Sequence, residues 1–139
     1  MLTIILDVYK SNIADMVSEM NQSILDAVMN AEGIVEPSKM AAFFHTNLKE
    51  IASLSGLPYS TLSRTERYST IKAQQQLRNC TEVINRILPW TGNEFHAYAW
   101  YRSEGLPEFG GLTAEQLVKH DRMDALRAYL NHTSEGGYA

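Results

Sequence analysis

The chain has 139 residues, of which 45% are hydrophobic and 20% charged, and its formal net charge at pH 7 is -4. This composition is that of an ordinary globular chain, and the length supports a core without disulfides or a structural metal. A single cysteine excludes a disulfide within the monomer, and the four histidines show no ligand spacing. We therefore expect no metal or other cofactor, and a reducing compartment.

The N-terminal apolar run is far shorter than the roughly 20 residues that span a bilayer, and it lacks the basic start of a signal peptide. We therefore expect a cytoplasmic protein that does not associate with membranes. Glycine and proline are scarce, and alternation of β-branched residues is hard to find along the chain. The composition thus predicts an all-α fold.

The charges are unevenly distributed along the chain. Residues 1–40 carry two basic and six acidic side chains, residues 41–90 carry six and three, and residues 91–139 carry four and seven. A basic middle between acidic flanks is typical of a nucleic-acid-binding segment, because phosphate attraction is a local requirement. A chance excess of three positive charges is the alternative interpretation.

An amphipathic helix is predicted from Ser11 to about Met29, because apolar residues recur there at spacings of three and four. These residues are Ile13, Met16, Val17, Met20, Ile24, Ala27 and Val28. The partly heptad spacing allows packing on a second copy, whereas fewer than three heptads favour packing within the monomer. Residues 1–35 are therefore a candidate dimerisation element.

Residues 36–89 have the pattern of a helix-turn-helix domain. After a first short helix opened by Pro37, Asn47 is expected to cap the next helix, and Gly56 supplies a turn residue that tolerates positive φ. Pro58 then opens a second helix that we expect to reach Arg64. Ser55 stands where a larger apolar residue is common.

The second of these helices is expected to present hydroxyl and guanidinium groups to phosphates and base edges in a major groove. The predicted DNA-binding residues are Tyr59, Ser60, Thr61, Ser63, Arg64 and Arg67. The alternative is a helical hairpin whose polar face meets only water.

A long helix follows, which we expect to be capped by Ser69 and stopped by Pro89. Ile71 and Cys80 belong to its predicted apolar face. We interpret Cys80 as a small buried hydrophobe rather than a nucleophile, because no positive charge or histidine neighbours it at helical spacing.

In the last 50 residues, Asn93 is expected to cap an aromatic-rich helix from Glu94 to about Ser103. A loop over residues 106–112 follows, and Thr113 begins a capping-box sequence that opens a short helix. Asp121 is the expected start of the final helix.

The segment from Ala97 to Ala139 resembles the toxin-binding C-terminal domain of the Xre/MbcA/ParS antitoxin family. The motifs that carry the resemblance are a tryptophan helix, a proline and a phenylalanine before a glycine loop, a Thr-x-x-x-Leu helix and a glycine-rich end. Their residues are Trp100, Pro107, Phe109, Gly110, Gly111, Thr113, Leu117, Gly136 and Gly137. With the helix-turn-helix, the resemblance covers about residues 37–139.

The resemblance implies a helix-turn-helix bundle over 36–89, followed over 90–139 by a small helical domain that binds a toxin with a RES domain. Such toxins consume NAD or use it for ADP-ribosylation, and the antitoxin itself is not a catalyst. In similar proteins the C-terminal tail enters the NAD pocket of the toxin. The implied toxin-binding residues are Trp100, Tyr101, Arg102, Phe109, Gly136, Gly137, Tyr138 and Ala139.

The resemblance also implies a homodimer that binds operator DNA and regulates its own operon. The alternative function is a stand-alone helix-turn-helix transcriptional regulator without a toxin partner. An enzyme is a third and weaker class, since no nucleophile–base pair or paired carboxylate is recognisable and the histidines stand apart. These are His45, His96, His120 and His132.

Overall fold

The computed structural model describes residues 24–134. Most of the predicted N-terminal helix and four of the implied toxin-binding residues lie outside this range. Those four residues are Gly136, Gly137, Tyr138 and Ala139.

The described chain is mainly helical, which confirms the all-α prediction. Residues 24–28 form a first helical turn, α1. The helices after it are α2 (Pro37–Phe43), α3 (Leu48–Ser55), α4 (Tyr59–Leu62), α5 (Thr65–Tyr68), α6 (Ile71–Thr91), α7 (Glu94–Ser103), α8 (Ala114–Lys119) and α9 (Met123–His132). Between residues 24 and 134, extended pairing is confined to β1 (Gly105–Leu106) with β2 (Leu112–Thr113) and a single bridge from Met29 to Val35.

Several predicted helix starts are confirmed by their capping bonds. The side chain of Asn47 accepts from the backbone N–H of Glu50, and that of Asn93 accepts from the N–H of His96. Thr113 and Gln116 form a reciprocal capping box at the start of α8. These side chains satisfy backbone donors that have no partner within their helices.

The helix predicted to run from Pro58 to Arg64 is shorter than expected, because α4 ends at Leu62. Arg64 adopts an extended conformation, with φ -130° and ψ 123°, and the separate turn α5 follows it. The Ser63 hydroxyl donates to the carbonyl oxygen of Ser60, which in a longer helix would accept from a backbone N–H. A segment rich in hydroxyl residues competes in this way with helical hydrogen bonds, which explains the break.

The long helix α6 differs from the prediction at both ends. Its N-cap is Thr70 rather than Ser69, and it continues through Pro89 to Thr91. Pro89 lies in the last turn with its ring exposed, so it removes one backbone hydrogen bond without breaking the helix. The Thr91 hydroxyl donates to the carbonyl oxygens of Ile87 and Leu88 and closes this end.

Two further predictions are corrected in the C-terminal third. The loop expected over 106–112 is a tight connection between β1 and β2 that contains a 3-10 turn. The final helix begins at Met123 rather than Asp121, because Asp121 adopts a left-handed conformation with φ 58° that a helix does not allow.

The hydrophobic core surrounds α6, which packs against α3, α5, α7 and α8. One cluster of buried residues extends from Ile24 in α1 to Leu130 in α9. The domain boundary predicted at residue 89 falls within α6, and residues on both sides of it belong to this cluster.

The buried side chain of Gln74 joins the turn after α1 to the central helix. Its amide oxygen accepts from the backbone N–H of Val35 at 2.8 Å, and its amide nitrogen donates to the carbonyl oxygen of Val35 at 3.0 Å. The same nitrogen donates to the carbonyl oxygen of Tyr68 at 2.9 Å. One side chain thus pairs with a strand-like backbone segment 39 residues earlier in the chain.

Replacing Gln74 with leucine is expected to lower the free energy of unfolding by about 2–4 kcal/mol, since both buried backbone groups of Val35 lose their partner. Urea denaturation measures the change. The matched control is Gln75→Ala at the exposed neighbouring position, which should stay within about 0.5 kcal/mol of the parent. Equal losses in the two variants would contradict this role of Gln74.

Candidate functional site

The connection between α3 and α4 is a tight corner formed by three residues, Gly56, Leu57 and Pro58. Gly56 has φ 76°, and its backbone N–H donates to the carbonyl oxygen of Ala52 at 3.0 Å. A Cβ at this position would lie 3.0 Å from Cγ of Lys119 in α8. The left-handed backbone favours glycine here, and a side chain would also crowd that of Lys119.

Ser55 is fully buried at this corner and forms hydrogen bonds within it. Its hydroxyl donates to the carbonyl oxygen of Ala52 at 3.4 Å and accepts from the backbone N–H of Leu57 at 3.3 Å. These two hydrogen bonds satisfy the buried hydroxyl and also fix the path of the turn.

The six predicted DNA-binding residues lie together on the surface formed by α4 and α5. Leu62 is the residue of α4 that points into the core, at 2% exposure. Thr61 is half-buried, Tyr59 is 51% exposed, and the remaining four are exposed. We call this set, Tyr59, Ser60, Thr61, Ser63, Arg64 and Arg67, the α4–α5 surface.

The two arginines of the α4–α5 surface have no ion-pair partner within residues 24–134. Lys72, at the start of α6, is also exposed and outside these ion pairs. Glu66 is the acidic residue of the same segment. The surface therefore offers unpaired positive charge and hydroxyl donors, which suit phosphate groups.

The implied toxin-binding residues do not share one environment. Tyr101 is fully buried, and its hydroxyl donates to the carbonyl oxygen of Leu54 at 3.0 Å. Trp100 and Phe109 are half-buried at the edge of the core. The Tyr101 side chain is therefore inaccessible to a partner, whereas Trp100 and Phe109 each expose part of their ring.

Arg102 is held by partners in two other helices. It ion-pairs with Glu50 of α3 and, at 2.6 Å, with Glu115 of α8, and it donates to the Ser53 hydroxyl at 2.9 Å. Burial acts to lower the pKa of Arg102, but hydrogen bonds with Tyr98 and Glu115 outweigh it and raise the pKa above its ordinary value. The guanidinium stays charged and connects α3, α7 and α8.

Phe109 is fixed from two sides within the β1–β2 connection. Its ring meets that of Tyr129 in α9 edge-on, with 5.8 Å between centroids, and the guanidinium of Arg122 lies 5.3 Å from its centroid. A Cβ at Gly105 would approach the carbonyl oxygen of Gly111 to 2.9 Å, so this position requires glycine. The connection is thereby attached to α9, the last described helix.

Cys80 is fully buried, as predicted, and burial raises the pKa of its thiol to about 12. Its sulfur lies 3.2 Å from the Tyr101 hydroxyl. The pKa of Tyr101 is raised well above its ordinary value, also mainly by burial. The thiol is therefore neutral and inaccessible, which excludes nucleophilic chemistry by Cys80 in the folded protein.

The four histidines are exposed, and within residues 24–134 no cluster of His, Cys, Asp or Glu has the arrangement of a metal site. In the same part of the chain, no helix combines the length and apolar character needed to cross a bilayer.

A groove of about 820 Å³ along one side of α6 was not anticipated from the sequence. We call it the α6 groove; it is lined by Leu25, Ile34, Ser69, Ile71, Gln74, Gln75, Arg78, Asn79, Glu82, Asn85, Arg86 and Arg127. The prediction placed Ile71 on the buried face, whereas it is 88% exposed at the end of this groove. The recurrence of Arg78, Glu82 and Arg86 at four-residue spacing is the sequence feature that marks this side of α6.

Comparison of the chain with protein-family models, with curated proteins and with solved structures finds no match.

Labelling of Cys80 tests its described environment. Burial raises the pKa of the thiol from its ordinary value of 9.0 to about 12, so at pH 8 the folded state contains far less thiolate than the unfolded state. We expect Ellman's reagent to react slowly with the native protein and fast in urea. Equal labelling rates in both states would contradict the burial.

The raised pKa of Cys80 also predicts that the free energy of unfolding falls as pH rises from about 9 towards 12, because only the unfolded thiol ionises in that range.

Proposed function

We propose that this protein is the antitoxin of a type II toxin–antitoxin system. It binds and blocks a RES-domain toxin that degrades NAD or transfers ADP-ribose, and it binds the operator DNA of its own operon as a homodimer. The observation that carries the proposal is the resemblance of residues 97–139 to antitoxin toxin-binding domains. The geometry of the described part of this segment supports it.

Several of the described motif residues take part in one connected unit. The carbonyl oxygen of Gly111 lies close to Gly105, Phe109 packs on α9, and Thr113 caps α8. Leu117 is fully buried. A unit built this way is a rigid base for α9 and for the five residues that follow Ser134 in the sequence, which include the implied toxin-blocking tail.

The proposed blocking mechanism depends on the chemistry of that tail. Gly136 and Gly137 let the backbone pass a narrow opening, and Tyr138 offers a flat ring to a pocket that accepts nicotinamide or adenine. The carboxylate of Ala139 pairs with a cationic side chain that otherwise holds a phosphate of NAD. Trp100 and Phe109 contribute partly exposed aromatic surface to the same contact.

The proposed DNA contact is the α4–α5 surface, with α3, the Gly56 corner and α4 as its helix-turn-helix. Because α4 is one turn long, fewer side chains reach base edges than on a full recognition helix. Arg64 and Arg67 then act mainly on phosphates. In a homodimer, two such surfaces about 34 Å apart match half-sites one turn of DNA apart.

The second candidate function is a stand-alone transcriptional regulator without a toxin partner. The unpaired positive charge of the α4–α5 surface supports it equally well, because it requires only the DNA contact. The tail separates the two functions, since it has no role in a regulator of this kind.

Removing residues 136–139 is expected to leave the antitoxin bound to its toxin but to restore NAD consumption. The measurement is co-purification with the product of the neighbouring gene, followed by an NAD assay on the purified complex. Ser134→Ala, an exposed position just before the tail, is the matched control and should still block the toxin. Absence of any complex with the parent protein would favour the stand-alone regulator. Continued inhibition by the truncated protein would show that the tail is not the blocking element.

Arg64→Ala and Arg67→Ala are each expected to weaken binding to the promoter fragment upstream of the gene. Each should lower the slope of log affinity against log salt by about one, the value for one lost phosphate contact. Fluorescence anisotropy over a salt series measures this. Glu66→Gln is the matched control, because it removes a negative charge from the same exposed segment and should not weaken binding.

Both arginine variants should still inhibit the toxin. Equal loss of DNA binding and toxin inhibition would contradict the division into two functional surfaces, and unchanged DNA binding would exclude the α4–α5 surface as the contact.

A further inference from the structure

We propose that a second, polar cavity of this protein binds a nucleoside monophosphate. The cavity has a volume of about 420 Å³ and lies between the Gly56 corner, one side of α6 and the turn from α8 to α9. We call it the polar pocket; its lining includes Lys72, Gln75, Asn79, Lys119, Asp121 and Asp124. The proposal does not depend on the proposed function, since its test requires neither DNA nor toxin.

One wall of the polar pocket carries three carboxamide side chains from the same side of α6, which are Gln75, Gln76 and Asn79. Asn79 is 9% exposed, and its amide oxygen accepts from Arg127 at 3.2 Å, so its amide nitrogen remains as a donor. The amide nitrogen of Gln76 donates to the carbonyl oxygen of Val118 at 3.1 Å, so its amide oxygen remains as an acceptor. Carboxamides offer a donor and an acceptor side by side, which is how they pair with the edge of adenine.

Two lysines supply positive charge to the polar pocket. The stem of Lys119 lies across the corner, with its Cγ 3.0 Å from the position that a Cβ of Gly56 would take, and its amine pairs with Glu115 at 3.7 Å. Lys72 is exposed and takes part in no ion pair within residues 24–134. Ammonium groups donate charge-assisted hydrogen bonds to phosphate oxygens, so these lysines suit a phosphate monoester.

The turn between α8 and α9 brings two carboxylates to the polar pocket. Asp124 pairs with Arg127 at 3.2 Å, whereas Asp121 is exposed and forms no ion pair between residues 24 and 134. A free carboxylate accepts hydrogen bonds from ribose hydroxyls, as acidic side chains do in dinucleotide-binding folds. It also disfavours a ligand that is anionic throughout, because such a ligand would be repelled at this wall.

A nucleoside monophosphate matches all three walls at once. Its phosphate faces the lysines, its ribose faces Asp121, and its base faces the carboxamides of α6. Leu57 and Met123 add apolar surface for the base. Inorganic phosphate would leave the carboxamides and Asp121 without a partner, and an uncharged nucleoside would leave the lysines without one. A cavity of this volume is within the range of small-ligand sites, which is about 300–1,000 Å³.

Titration of the full chain with AMP, followed by NMR of the backbone amides, tests the proposal. We expect saturable binding with a Kd below about 1 mM and shifted amide signals in residues that line the polar pocket. Adenosine, ribose 5-phosphate and inorganic phosphate should each bind about tenfold more weakly or less, because each lacks a group that one wall requires. Absence of saturable AMP binding, equal binding of adenosine, or signal shifts confined to other residues overturns the proposal.

Substitutions at two exposed positions separate the contacts of the phosphate and the ribose. Lys72→Ala should weaken AMP binding by about tenfold and leave adenosine binding unchanged. Asp121→Asn retains a residue type that tolerates the left-handed backbone, and it should remove most of the preference for AMP over 2′-deoxy-AMP. Lys49→Ala, at an exposed lysine outside the pocket, is the matched control and should bind AMP like the parent. Unchanged binding in either pocket variant, or an equal loss in the control, overturns the proposal.

Discussion

Helix α6 is buried on more than one side, and the arrangement of the other helices follows from this constraint. Eleven of its 21 residues are buried, including the polar Gln74, Asn79, Thr81 and Asn85. A helix with buried residues around its circumference has to be enclosed by other elements. Helices α3, α7 and α8 and the turn after α1 cover most of it. The α6 groove is the side that the described residues leave open.

Polar side chains, rather than apolar area alone, fix how these elements meet. Gln74 binds both backbone groups of Val35, Arg102 connects α3 with α8, and the Tyr101 hydroxyl reaches the end of α3 at Leu54. Burial makes the Gln74 amide and the Tyr101 hydroxyl costly to leave unpaired, and the half-buried Arg102 adds ion pairs, so each favours one relative position of its helices. The α3–α4 corner lies against α8 at Lys119, and the β1–β2 connection lies against α9 through the rings of Phe109 and Tyr129.

Many features set by nearby residues were predicted from the sequence, although the cap at Ser69, the end of α4 and the start of α9 were predicted wrongly. Features set by distant partners were not predicted. The caps at Asn47, Asn93 and Thr113 depend on residues three positions away, and the burial of Cys80 follows from helical spacing. The partners of Arg102 lie 52 and 13 residues away, and no local pattern indicates them. Helix α6 continues through Pro89 because this proline lies in the last turn. The sequence alone does not show where that last turn falls.

The two candidate binding surfaces also differ in how far local sequence predicted them. The α4–α5 surface was predicted because a tight corner and its flanking helix have a local sequence pattern. Among the implied toxin-binding residues, the resemblance did not separate those that build the fold from those that reach the surface. Tyr101 and Arg102 are held by partners inside the protein, whereas Trp100 and Phe109 retain exposed edges. Their distances to partners in α3, α8 and α9 make this distinction, and those distances exist only in the folded chain.

We propose that DNA and the toxin contact different parts of one helical body. Hydrogen exchange followed by mass spectrometry tests it directly, on the protein alone, with its promoter fragment and with the product of the neighbouring gene. We expect DNA to slow exchange in residues 57–68 and the toxin to slow exchange in residues 100–112 and 135–139. Protection of one and the same segment by both partners would contradict it.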